Sequence, residues 1–273
     1  MQRPLLQKII RWFIPLAALA AFAGWMYIAQ PGILGKADAV GYAVCHRIDE
    51  RSFHIGDRQL PLCARCSGTF TAAAVGLIFL AFTAHKRSGM PDQKFYIPFA
   101  LFFLAFAIDG GNSYIYLIKQ TTGALTQIPN LYIPNNTLRL FTGSGMGIAL
   151  ASILFPAFNQ SAWKTPDPAP ALTWKKLGIL IGSVFLIDLA VLTEHPVVLY
   201  PIAIISVLGV LALLTSVFSV AWMLIMRQEN AFDSLAQMWM PFLAGTTLTF
   251  LMITAIDLLR FQLTGTWGGF PLG

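Results

Sequence analysis

The three cysteines of this 273-residue chain, Cys45, Cys63 and Cys66, lie in one stretch, "CHRIDERSFHIGDRQLPLCARCSG", with two of its four histidines, His46 and His54. Thiolates and imidazoles together suit zinc, and the Cys-x-x-Cys spacing of Cys63 and Cys66 lets both sulfurs face one ion. Cys45 would be the third ligand and a histidine the fourth, which completes a tetrahedral set. Adjacent residues of an extended chain point to opposite sides, so Cys45 and His46 can share an ion only if the backbone turns there. His54 is the geometric rival. Two other chemistries compete for the same thiols. A structural disulfide leaves one thiol over. A redox pair at Cys63 and Cys66, beside Arg65 at a helix start, would have a lowered thiol pKa and could pass electrons to a quinone. Such a relay needs a second cysteine pair, and only Cys45 remains.

The elements that must position these residues belong to a membrane. Hydrophobic residues make up 56% of the chain, only 11% are charged, and the mean hydropathy is +0.67. A soluble domain of this size needs more charge on its surface. About seven stretches reach or approach the length of a helical crossing: 10–29, 67–84, 96–118, 138–158, 177–194, 197–226 and 236–259. The fifth is the weakest, interrupted by Asp188, and the sixth is long for one crossing with Pro201 near its start. The first run carries a charged lead but has large residues in "WMYIAQPG", where a signal cleavage site needs small ones, so it reads as an uncleaved helix.

Basic residues set the orientation. With the N-terminus cytoplasmic, Arg3, Lys8, Arg11, Lys86, Arg87, Lys94, Lys164, Lys175, Lys176 and Arg227 fall on the cytoplasmic side. Lys36, Arg47, Arg51, Arg58, Arg65, Lys119, Arg139 and Arg260 fall on the other, where Asp49, Glu50 and Asp57 offset several of them. The cysteine loop is then extracytoplasmic. The formal charge of +6 is a topology signal, because its cations are scattered among short loops rather than gathered as nucleic-acid binding requires. The chain divides into a four-helix half (1–158) containing the cysteine loop (30–66), a proline-rich cytoplasmic linker (159–176) and a three-helix half (177–273). The segment "KQTTGALTQIPNLYIPNNTLR" is too polar to cross lipid and has room to dip into the protein's outer face.

Charged groups within a crossing are costly and therefore point to function. Asp109, with Asn112 one turn further out, and Arg139 and Arg65 at helix starts all fall toward the cysteine loop. Together with Asn136, these residues are expected to line an intramembrane pocket under that loop, suited to a polar solute or a lipid headgroup. A plainer reading pairs Asp109 with Arg139 and fixes how two helices meet. Gly143 and Gly147 form a close-packing face, and Asp257 with Arg260, one turn apart, reads as an interfacial pair. The sequence contains no phosphate-binding glycine loop, nucleophile elbow or His-Glu-x-x-His pair. It therefore reads as an all-α, multi-pass bundle that binds or transports a polar solute or lipid. The rival classes are a membrane thiol-disulfide oxidoreductase, a metal-dependent lipid-modifying enzyme, and a structural subunit whose loop docks a partner.

The pattern Cys45, His46, Arg51, Ser52, Pro61, Cys63, Arg65, Cys66 and Gly68 resembles the signature of a bacterial and archaeal family of polytopic membrane proteins without an assigned activity. The resemblance continues through Asp109 and Gly110, and through Asn136, Arg139, Gly143 and Gly147, covering about residues 40 to 150 of the chain. It implies that His46, rather than His54, belongs with the cysteines. It implies nothing for the second half, which it does not cover.

Overall fold

The computed structural model describes residues 3–268, with side chains from residue 11 onward; Arg3 and Lys8, counted above for orientation, lie outside the described side chains. Among the described residues, eight helices form a bundle: α1 (Arg3–Ile28), α2 (Ile33–Val44), α3 (Ala64–Ala84), α4 (Tyr96–Thr122), α5 (Asn136–Ala162), α6 (Trp174–Val191), α7 (Pro196–Ile225) and α8 (Trp239–Thr264). Two small strand pairs close its ends. One is the antiparallel hairpin β1 (His54–Ile55) and β2 (Arg58–Gln59); the other is the parallel pair β3 (Arg87–Gly89) and β4 (Asp167–Pro170). The all-α, multi-pass architecture expected from composition is the one observed.

Six of these helices are long and apolar enough to cross a membrane. The remaining long helix, α6, is as apolar as most of these but carries three charged residues, Lys175, Lys176 and Asp188, in its 18 residues. It still runs the full height of the bundle. Leu177 and Leu180 pack with Leu80, Ala84, Phe95 and Phe99 at one end, while Val191 packs with Phe53, Ala64 and Leu199 at the other. Eighteen residues rise about 27 Å, close to the thickness of the hydrocarbon core. Pro201 does not break α7, which is continuous over 30 residues. Its neighbour Pro196 stands at the first helical position, where a missing N–H costs nothing, and His195 caps that end by accepting from the Val197 amide.

Helix α3 is central, packed against α5, α6 and α7, and α1 lies against α8 through Trp25 and Phe250, whose rings are 4.9 Å apart. Backbone contact between α3 and α5 depends on Gly143 and Gly147: a Cβ at either would collide with the carbonyl oxygen of Arg65 or Thr69. This contact puts the first turns of α3 and α5 side by side. The end of the bundle where they meet is called the cysteine face below, and the end carrying β3 and β4 the opposite face. Helix α2 was not expected. It occupies the cysteine face as a short buried piece whose one carboxylate, Asp38, is paired with Arg47 at 3.0 Å and Arg58 at 2.5 Å.

Candidate functional site

The three thiols come from the junction of two helices. Cys45 caps the C-terminus of α2, Cys63 is the N-cap of α3, and Cys66 sits in the first turn of α3. Their Sγ atoms all lie within 4.8 Å of one another, and no disulfide joins them. The junction is tight because α2 lies directly on Pro61. Only a glycine fits at position 41, where a Cβ would overlap the Pro61 carbonyl. The exposed C-terminal carbonyls of α2 are capped from the far end of the chain by Arg260 of α8. Its guanidinium donates to the carbonyl oxygens of Tyr42 (2.6 Å), Cys45 (2.6 Å) and His46 (3.0 Å), and lies over the Tyr42 ring at 4.0 Å.

The backbone turns immediately after Cys45. Arg47 adopts the left-handed conformation (φ 52°) and its amide donates to Cys45 Sγ at 3.4 Å; the Cys63 amide does the same at 3.3 Å. Two amides aimed at one sulfur fix its orientation at the junction. Among the thiols, Cys63 is held well below its ordinary pKa, first by the hydrogen bond with Cys45 and then by that with Cys66. The Cys45 thiol is pushed up to about 12, first by that same bond to Cys63. Of these two thiols Cys63 is therefore the more readily ionised. His46 lines the same cavity as the thiols, although its ring nitrogens fall outside the 4.8 Å group. His54 faces elsewhere, with Nε2 2.9 Å from Asp49 Oδ1. Three sulfurs at this spacing could hold a metal ion.

The cavity beside the thiols has a volume of 310 Å³. Arg51, Arg65 and Arg139 line its polar side, and one face of α4 (Phe106, Gly110, Tyr114 and Leu117) lines its apolar side. Arg65 reaches back to Asp109, with Nε 3.0 Å from Oδ2 and Nη2 on the same oxygen, and to Ser113 Oγ at 3.2 Å. Asp109 is 1% exposed and also accepts from Tyr132 Oη at 2.7 Å. Its partner is thus Arg65, not Arg139. Arg51 donates to the Ser113 carbonyl at 2.9 Å, and burial followed by repulsion from Arg65 lowers its pKa. Arg139 donates from Nη1 to Asn136 Oδ1 at 2.8 Å, while its Nε is buried without a hydrogen-bond partner.

The residues expected around a pocket divide in two. Arg65 and Arg139 line it, together with the Cys/His set. Asp109, Asn112 and Asn136 stand behind its wall. Asn112 Oδ1 accepts from the Leu131 amide (2.9 Å) and its Nδ2 donates to the Tyr132 carbonyl (3.0 Å), which pins the 123–135 connection over Asp109. Asn136 Nδ2 donates to the Ser52 carbonyl at 3.3 Å and so ties the cysteine loop to α5. Sequence reasoning left Arg51, Tyr132 and Arg260 out of the site. Arg51 carried a signal in the motif around Ser52. Arg260 carried none, since its partners are more than 200 residues away.

Comparison with known proteins is consistent with this centre of gravity. A family model described as "Predicted membrane protein (DUF2085)" matches residues 45–153. That span begins at the first thiol and includes all three cavity arginines. The chain is 29% identical over 126 residues to an uncharacterised protein of the archaeon Methanocaldococcus jannaschii, covering 46% of this chain and 70% of that one. No solved structure matches the chain. The chain is similar to membrane proteins of unknown function and carries, on a helical multi-pass bundle, a cluster of three thiols able to hold a metal.

Proposed function

We propose that Cys45, Cys63 and Cys66 hold one zinc ion, with His46 as fourth ligand, and that this centre forms one wall of a cavity that binds or carries a polar solute or a lipid headgroup. The observation that carries this reading is the convergence of three Sγ atoms within 4.8 Å on the cavity that Arg51, Arg65 and Arg139 also line. Zinc would tie the end of α2 to the start of α3 and so hold the loop between them over the cavity. The turn at Arg47 follows His46, which lines the same cavity as the thiols; this supports its place as the fourth ligand. The distribution of basic residues supports a cysteine face outside the cytoplasm.

The distance of His46 from the thiol group favours one second reading. In it the fourth zinc position stays open to a ligand from the cavity, as in a metal-dependent enzyme acting on lipid. Zinc analysis of the purified protein tests both. One ion per chain, lost in Cys63→Ser and Cys66→Ser, is expected; zinc absent from the wild type, or unchanged in both variants, refutes the centre. Loss of zinc in His46→Ala supports the closed site, whereas full retention supports the open one. A membrane-impermeant thiol reagent should label the cysteines of chelator-treated intact cells; labelling only after lysis would invert the orientation.

A further inference from the structure

We infer that the cavity binds a singly charged phosphate diester, and that the phosphate belongs to an anionic lipid whose acyl chains lie along α4. The inference rests on the zinc reading for its charge count alone. Three guanidiniums face the cavity, and only Arg65 has a carboxylate against it, the buried Asp109. Zinc with three thiolates contributes one negative charge, so the assembled site keeps a single positive charge for its ligand. Exposed Glu50, the other acid near Arg51, is screened by water.

The polar groups are aimed at such a ligand. Arg139 is 6% exposed and lines the cavity, with Nη1 held by Asn136 Oδ1 at 2.8 Å. Arg65 and Arg139 also sit in the first turns of α3 and α5, whose N-termini add positive potential at the same place. Guanidiniums and helix N-termini together select oxyanions, and phosphate in particular accepts forked donors from several sides.

The acyl chains follow from the other wall. Phe106, Gly110, Tyr114 and Leu117 form one stripe of α4, spaced by about one helical turn each. Tyr114 is 59% exposed, and the rest of this helix presents Leu101, Phe103, Leu104 and Ile108 outward. The cavity therefore shares a wall with the bilayer. A side chain at Gly110 would project toward the Arg65 guanidinium at 3.7 Å, into the space a headgroup would fill.

The test counts lipids and zinc together. Delipidated wild-type protein in detergent is titrated with phosphatidylglycerol, with zwitterionic phosphatidylcholine and with inorganic phosphate, and retained molecules are counted by native mass spectrometry. One phosphatidylglycerol per chain is expected, retained at least roughly tenfold more strongly than in Arg51→Gln/Arg139→Gln, with zinc content unchanged. Arg139→Lys should recover part of the loss, which a folding defect would not. Equal retention by wild type and double variant overturns the inference, and if zinc is present it does so without touching the metal centre. Zinc-free wild type that still needs its arginines refutes the metal centre and leaves this inference standing. Inorganic phosphate bound through the same arginines with no phosphatidylglycerol retained overturns the acyl-chain wall and assigns the phosphate a soluble source.

Discussion

At the opposite face Asn159 donates to the carbonyl oxygens of His85 (2.9 Å) and Arg87 (2.8 Å) and accepts from Trp163 Nε1 (2.9 Å), whereas at the cysteine face Arg139 keeps a buried Nε without a partner. Both faces contain a cavity, and the one beside Asn159, at 560 Å³, is larger than the 310 Å³ cavity beside the thiols. Its lysine is already engaged: Lys86 Nζ donates to the Asp233 carbonyl at 2.9 Å and lies 4.2 Å above the Trp163 ring. Cavity volume therefore does not separate a site from a packing gap. The lining separates them: three arginines and three thiols meet at the smaller cavity, whereas Lys86 and Asn159 at the larger one are already engaged by the chain.

The contrast can be broken most severely at Asp109. Asp109→Asn leaves Arg65 buried with no counter-charge, and a loss of about 3–5 kcal/mol in unfolding free energy is expected in detergent. The folded fraction should keep its zinc, because no thiol touches Asp109. A loss below about 1 kcal/mol would mean that water reaches Arg65 freely, and the cysteine face would then be no drier than a surface. The opposite face should respond differently. Asn159→Ala frees two carbonyls and the Trp163 N–H at once, at a cost of about 2–3 kcal/mol, and leaves zinc and lipid retention unchanged. A variant that keeps full stability but loses lipid would erase the distinction between the two ends.

What the sequence made legible depends on the range of the interaction. The long apolar helices announce themselves, since each needs only its own residues to satisfy its backbone in lipid. The convergence of Cys63 and Cys66 was readable because they share a turn; what brings Cys45 to them, a glycine at 41 that lets α2 close on Pro61, was not. Helix α2 was hidden by its own polarity: Lys36 and Asp38 make a short helix look like loop until Arg47 and Arg58 neutralise the acid. The partner of Asp109 was hidden for another reason. Arg65 and Arg139 lie at the same level on helices in backbone contact; the plainer sequence reading pairs Asp109 with Arg139, and only the packed geometry chooses Arg65. Asp257 and Arg260 do attract one another as the local spacing suggests, but the hydrogen bonds of Arg260 cap α2 across the whole chain, which no local pattern announces.

The smallest expected effect probes the lid over Asp109. Tyr132 has its pKa pushed up from 10 to about 12, first by burial and then by the hydrogen bond it gives to Asp109. A raised folded-state pKa means that folding favours the protonated phenol. This contribution is complete below pH 10 and drains away as pH climbs through about 12. Tyr132→Phe should cost about 1 kcal/mol at neutral pH, and its deficit relative to wild type should close at the alkaline end of that window. Unfolding free energies of both proteins at about pH 8 and about pH 12 measure this directly. A tyrosine that titrates at its ordinary value would show that the 123–135 connection opens in solution, and the cavity floor at Asp109 would then be hydrated like the surface around it.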